Sequence, residues 1–351
     1  MSEHLETLWY TRCPVPTGLG IAVQKGWLEE GLRGQCAQIK SLRESSDRAV
    51  RESHFDHTLE NSVRHGGSIP AIWARSAGRD TRLVGLSWAD ETQRILALPQ
   101  SGIQSVKDLK GRRFGLPKWE NVQIDFPRAQ ALRALESALK LQGLALSDVE
   151  LVDFPIGGGF SDGGPARDVN GSYVFGASRS GRNTELVGLL REEVDAIFLK
   201  GASAAQTAHQ FGLHTVIDVG AHPDPLIRSN NGTPRTLTVD RNLIDHHFDA
   251  TTHILGAVLR AEDWARQHPD ETRRFLARET NSSEYWVSVA YGEEAHLHLD
   301  TNFSEVSVRA LQDFSDFLHR QHFIPEAVNV AAWIDTRPYA TAAQAQSRLA
   351  A

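Results

Sequence analysis

The sequence predicts an α/β protein of two domains, and three observations carry that prediction. Strand-like and helix-like segments alternate along the chain. Its 351 residues suffice for two domains of roughly 150 residues each. Hydrophobic residues at 40% against charged residues at 23% give the balance of a globular chain with a core to fill.

Residues 6–11 (ETLWYT) read as a first strand. Pro14 and Pro16 punctuate a turn, and a helix is expected over 17–25. Residues 35–40 form a second short strand. Residues 69–77 (IPAIWARSA) open a helix with Pro70 in its first turn. Strands are expected at 83–88 and 94–98. A second unit starts near Gly102, with a short helix, a Gly turn and a strand over 105–117. Apolar residues at helical spacing fill 126–141, and 149–154 is a strand. Helices at 184–194 and 202–211 then alternate with strands at 195–199 and 214–219. The segment 235–239 carries the chain back to the first unit. From Arg241 on the chain is mostly helical, with the clearest periodicity at 257–267, 269–278 and 308–320. The Gly- and Ser-rich stretch 155–183 has too few apolar residues for a core element and is expected to be a loop, either a covering lid or an inert insertion.

Composition excludes several classes. Lys and Arg total 37 against 44 Asp and Glu, a net charge of −7. Neither a nucleic-acid surface nor an anionic-membrane surface is expected from that balance. No run approaches the roughly 18 apolar residues of a membrane span. Glu3 and Glu6 stand where a secretory leader would carry basic residues, so a cytoplasmic protein is expected. Two cysteines, Cys13 and Cys36, make no disulfide framework. No Cys-x-x-Cys or His-Glu-x-x-His motif occurs, and no metal and no cofactor are expected. His296 and His298 followed by Asp300 lack a third ligand at useful spacing.

Three features point to chemistry. Cys13 sits on a Pro-bounded turn before a helix, where a thiol is a candidate nucleophile or acid. Arg64 precedes Gly66 and Gly67. An Arg fork offers two parallel donors to a two-oxygen anion, and glycine amides can approach the same anion. His54 can stabilise a thiolate or relay its proton, with His57 and His65 as alternative partners nearby. Taken singly each is ordinary: most unpaired cysteines merely pack. Phe55, Trp73, Trp119 and Phe126 are candidate walls for an aromatic ligand.

The segments Val106 to Gly115 (VKDLKGRRFG), Glu193 to Ile197 (EVDAI) and Val258 to Trp264, followed by His268-Pro269-Asp270, resemble the solute-binding-protein fold of the sulfonate and nitrate transporters. That fold implies two α/β lobes with ligand in the cleft between them. On this basis lobe I comprises 1–98 plus 235–351, and lobe II comprises 99–234 with the loop 155–183. A closer resemblance lies in Tyr10 to Pro16 (YTRCPVP), His54-Phe55 and Arg64 to Pro70 (RHGGSIP). These are similar to the active-site set of the aromatic sulfinate desulfinases. The resemblance implies Cys13, His54 and Arg64 as catalytic residues. Gly66, Gly67, Phe55, His65, Phe126 and Trp119 would bind substrate.

The expected activity is cofactor-free, Cys-dependent hydrolysis of the C–S bond of an organic, aromatic sulfinate, with release of sulfite. Cys13 thiolate could attack the sulfur, or its thiol could protonate the ring carbon. A solute-binding protein for an aromatic sulfonate or carboxylate, or a decarboxylase on the same fold, is the alternative. The expected partner is a small anionic substrate, taken by a monomer.

Overall fold

A computed structural model describes residues 5–162, 164, 165, 170 and 183–350. Most of the loop expected over 155–183 lies outside the described residues. Eleven strands are described: β1 (Leu5–Arg12), β2 (Cys36–Ser41), β3 (Ser62–Gly66), β4 (Thr81–Ser87), β5 (Gln93–Ala97), β6 (Arg113–Trp119), β7 (Glu150–Ile156), β8 (Ala196–Lys200), β9 (His214–Asp218), β10 (Arg235–Asp240) and β11 (Thr301–Asn302). They form two sheets, of order β11-β4-β10-β3-β1-β2 and β7-β6-β8-β5-β9. The fold is therefore mixed α/β with two sheets, as the sequence predicts.

In the first sheet β1 runs parallel to β2 and β3, while β10 is antiparallel to β3 and β4. In the second, β6 is parallel to β7 and β8, and β5 is antiparallel to β8 and β9. The chain crosses from one sheet to the other between Ser87 and Gln93, and returns between Asp218 and Arg235. One expectation changes here. The strand 93–97, placed by the sequence with lobe I, pairs entirely in the second sheet, from Gln93↔Lys200 to Ala97↔Ala196. Its alternating pattern was read correctly, but pairing partners depend on topology and not on pattern.

Local rules account for the helices that matter below. Thr17 caps the helix Gly18–Gln24 through Gly20 N (3.1 Å). Asp47 caps Arg48–Asp56 through Ala49 N (2.8 Å). Asp125 caps Phe126–Lys140, and Pro127 occupies its first turn, where the missing N–H costs nothing. The largest core is shared between the sheets. It joins Leu83 and Leu86 of β4 to Ile95 of β5 and Leu135 of Phe126–Lys140. The helix Glu305–Arg320 contributes Leu311, Phe314 and Leu318, spaced three and four apart on one face. That helix, placed with lobe I by sequence position, also clasps Arg133 of the helix Phe126–Lys140. The Arg133 guanidinium donates to Asp313 at 2.5 Å and lies 5.4 Å from the Phe317 ring centre. Among the described residues no helix is long and apolar enough to cross a membrane.

Candidate active site

β1 and β3 are parallel neighbours, so their carboxyl ends open on the same side, where α/β sheets collect ligands. Cys13 follows directly on β1. Its amide donates to His65 O (3.1 Å), extending the β1–β3 ladder by one rung. Its carbonyl accepts from Val15 N (2.8 Å), closing a tight turn around Pro14. The sulfur lies over Gly66. A Cβ at that position would stand 2.2 Å from Cys13 Sγ, so only glycine leaves room. Gly66 is thus required for space.

Arg64 is buried on β3, two residues before the strand ends. Its Nε donates to His54 O (3.1 Å) and its Nη1 to Gly67 O (2.8 Å). The remaining end, Nη2, donates to Cys13 Sγ at 3.3 Å. Two carbonyls therefore fix the guanidinium. It presents one end to the sulfur, and not the free two-pronged fork expected from the sequence. Burial lowers the Arg64 pKa; Cys13 opposes that shift and Arg43 adds to it.

His54 is buried near the end of Arg48–Asp56. Its Nδ1 is 2.6 Å from Thr11 Oγ1 and its Nε2 is 3.7 Å from Cys13 Sγ. If Thr11 donates to Nδ1, Nε2 carries the proton and points it at the sulfur. One further tie holds this corner. Arg12, next to Cys13, forms an ion pair with Glu279, which is 1% exposed at its side chain. Glu279 ends the helix that leads into Thr280 and Asn281, two lining residues of the cavity below.

Cys13, His54 and Arg64 stand at one end of a cavity of about 450 Å³ between the sheets. Phe55 and Phe126 wall it, with ring centres 6.1 Å apart and planes 13° from parallel. Phe160 packs across both, at 5.1 and 4.7 Å. Gly67 lines the cavity as well.

Other expected site residues lie elsewhere. Gly66 is beneath the sulfur and not among the lining residues. His65 points away because successive strand residues face opposite sides. It is fully buried against Ser87 Oγ (3.1 Å), and burial, then Arg235 and Arg64, push its pKa down to about 3. Trp119 stands behind the wall, 4.4 Å from Phe160. Trp73 packs on the core. His57 ends its helix with φ 52° and does not line the cavity. His296 lies in a 3₁₀ turn and Asp300 pairs with Arg266.

Sequence reading missed Thr11, Phe160, Lys200, Glu91, Asn231 and Tyr291. Thr11 stands two residues before Cys13 and faces the same side, a period-2 signal present in the sequence. Phe160 was hidden in a glycine-rich stretch. The remaining four come from both crossovers, the end of β8 and a distant helix, and no local pattern joins them.

The chain is similar to several known proteins. Residues 16–157 match the family model described as NMT1/THI5 like. The 2′-hydroxybiphenyl-2-sulfinate desulfinase of Rhodococcus erythropolis is 25% identical over 363 aligned positions, covering 93% of this chain and 91% of that protein. The crystal structure of the desulfurization enzyme DszB superposes with a TM-score of 0.72 at 23% identity, covering 97% of this chain and 99% of that one. The periplasmic aliphatic sulphonate-binding protein SsuA of Escherichia coli superposes at 0.65 with 16% identity, covering 94% and 92%. The chain has the fold of the sulfonate-binding proteins and, along 93% of its length, resembles 2′-hydroxybiphenyl-2-sulfinate desulfinase.

Proposed function

We propose that this chain is a cofactor-free desulfinase that hydrolyses the C–S bond of an aromatic sulfinate. The net reaction takes one sulfinate and one water to the arene and hydrogen sulfite. The observation that carries the reading is a cysteine sulfur held by Arg64 Nη2 (3.3 Å) and facing His54 Nε2 (3.7 Å) at the end of an aromatic-walled cavity. Binding a solute needs no thiol there. The full-length similarity to 2′-hydroxybiphenyl-2-sulfinate desulfinase supports the same substrate class.

Arg64 and the Gly67 amide hold the sulfinate oxygens, and the Phe55–Phe126 wall takes the ring. Arg64 Nη2 and His54 Nε2 both face Sγ. His54 takes the thiol proton and becomes imidazolium. The thiolate attacks the sulfinate sulfur. The S–S bond forms as the C–S bond breaks, and His54 passes that proton from Nε2 to the departing ring carbon. Water then cleaves the S–S bond, hydroxide going to the SO₂ sulfur and the proton returning to His54. Hydrogen sulfite leaves and the thiolate is restored. In the competing route the Cys13 thiol protonates the ring carbon, sulfur dioxide departs, and water converts it to sulfite. Intact-mass analysis during turnover separates the two: only attack on sulfur adds one SO₂ to the protein.

The direct test is sulfite release from a panel of aryl and alkyl sulfinates. Cys13→Ser should lower kcat by about a thousandfold or more, the scale of losing a general acid or nucleophile. Near wild-type sulfite release by Cys13→Ser would falsify the assignment. A solute-binding role, which the fold also serves, predicts tight anion binding without sulfite and no dependence on the thiol. All these residues come from one chain, consistent with work as a monomer. A cytoplasmic setting would keep Cys13 reduced.

A further inference from the structure

A second charged cluster stands in the cavity away from Cys13. Lys200 ends β8 and directly precedes the helix Gly201–Gln210. Its ammonium forms an ion pair with Glu91, which sits in the first crossover and is 1% exposed at its side chain. The other Glu91 oxygen faces Nη2 of the fully buried Arg235 at 3.8 Å. Two cations therefore share one carboxylate. Arg235 Nε and Nη2 make no hydrogen bond among the described residues. An excess positive charge at such a site is costly unless an anion compensates it. Lys200 lines the cavity, and so do Gly201, Ala202 and Ser203 of the following helix. No side chain caps that helix, so its N-terminal dipole adds to the same demand for an anion.

The two ends are close. Asn231 and Gly232, neighbours in the return crossover, both line the cavity. A Cβ on Gly67 would meet the Asn231 side chain at 2.7 Å. A Cβ on Gly232 would stand 3.1 Å from Lys200 Nζ. Asn231 and Gly232 are adjacent in the chain, so one short stretch of cavity wall joins the Gly67 side to Lys200.

Resting on the desulfinase reading, we propose that Lys200 and the helix it precedes form a second anion site. The substrate is then a compact arenesulfinate that carries another anionic group, such as a carboxylate, on its ring. The sulfinate occupies the Arg64 end and the carboxylate the Lys200 end. Arg235 keeps Glu91 compensated while Lys200 turns to the ligand.

The test compares kcat/KM for benzenesulfinate and for 3- and 4-sulfinobenzoate by sulfite release. Wild type should prefer the better sulfinobenzoate by about tenfold or more, the scale of one charge-assisted hydrogen bond. Lys200→Met, or Lys200→Gln if the first does not fold, should bring that ratio close to one. Equal kcat/KM in wild type overturns the proposal, and so does a preference that survives both substitutions. Calorimetric titration of Cys13→Ser with the same anions separates this idea from its parent. Tenfold tighter binding of a sulfinobenzoate with no sulfite from any wild-type reaction would sink the desulfinase reading and leave the second anion site standing. Equal binding without turnover would sink both.

Discussion

The two ends of the cavity are built by different means. The Cys13 end is held by contact: a sulfur over a glycine, a guanidinium fixed by two carbonyls, a histidine turned by a threonine. The Lys200 end is held by charge: two cations around one buried carboxylate. Contact specifies a position to fractions of an ångström and suits bond-making. Charge acts over a longer range and suits recognition of a substituent whose exact place varies. Variants should therefore fail differently at the two ends.

After loss of the thiol itself, the largest effect should come from Gly66→Ala. The new methyl would overlap Cys13 Sγ, so the sulfur must leave its place beside Arg64 and His54. A loss of about a hundredfold in kcat is expected, the scale of a misplaced reacting group. Overpacking should also cost about 1–3 kcal/mol of stability. Steady-state sulfite assays beside denaturant melts check both; unchanged kcat would break the contact account.

Thr11→Val should do less. It keeps the shape near His54 but removes the hydroxyl 2.6 Å from Nδ1. The ring loses the partner that sets its tautomer, and kcat should fall by about tenfold. The pH–rate profile should shift with it, whereas a purely structural role would move stability alone. Thr11→Ser, which restores the hydroxyl, should recover most of the rate.

The smallest effects concern stability between and beneath the ends. His65 lies near both Arg235 and Arg64, and its pKa is pushed down to about 3. The unfolded chain therefore binds a proton that the fold refuses. Stability should be full above about pH 6.5, the ordinary histidine value, and fall as pH drops toward 3. Glu262 presents Oε1 2.6 Å from where a Gly18 Cβ would be, on the helix that follows Cys13. Burial raises its pKa to about 8, against the hydrogen bonds from Thr301. Here the folded state holds the extra proton. Stability should be full below about pH 4.5 and fall as pH rises to about 8. Chemical denaturation across this range should show the two slopes of opposite sign. His65→Gln should reduce the acid slope, which His57 shares, and Glu262→Gln the slope on the other side, which Glu185 and Asp240 share; a slope unchanged in its variant would refute the corresponding assignment.

Much of the molecule was legible in the sequence. Alternation of strand-like and helix-like segments located most strands of both sheets to within a few residues, but not β3, which carries Arg64, nor β11. Cys13, His54 and Arg64 are ordinary taken singly and stand out together through the resemblance carried by residues 10–16, 54–55 and 64–70. The strand 93–97 shows the limit. Its pattern is that of a strand in either sheet, and only the geometry of the crossover decides its partners. His65 shows another. Beside Arg64 in sequence, it lies on the opposite face, so adjacency misled where alternation would have guided.

The sequence by itself determined most of the element order and the tight turn at Cys13, because caps, turns and close approaches are local and demand particular residues. Only the tertiary structure decided what else shares the cavity. Glu91, Lys200, Asn231, Arg235 and Tyr291 come from separate stretches of chain, and no spacing rule connects them. They meet because both crossovers pass between the two sheets at the carboxyl ends of β1, β3 and β8. A buried charge is compensated by whatever the fold brings within a few ångströms, and that distance is measured through space.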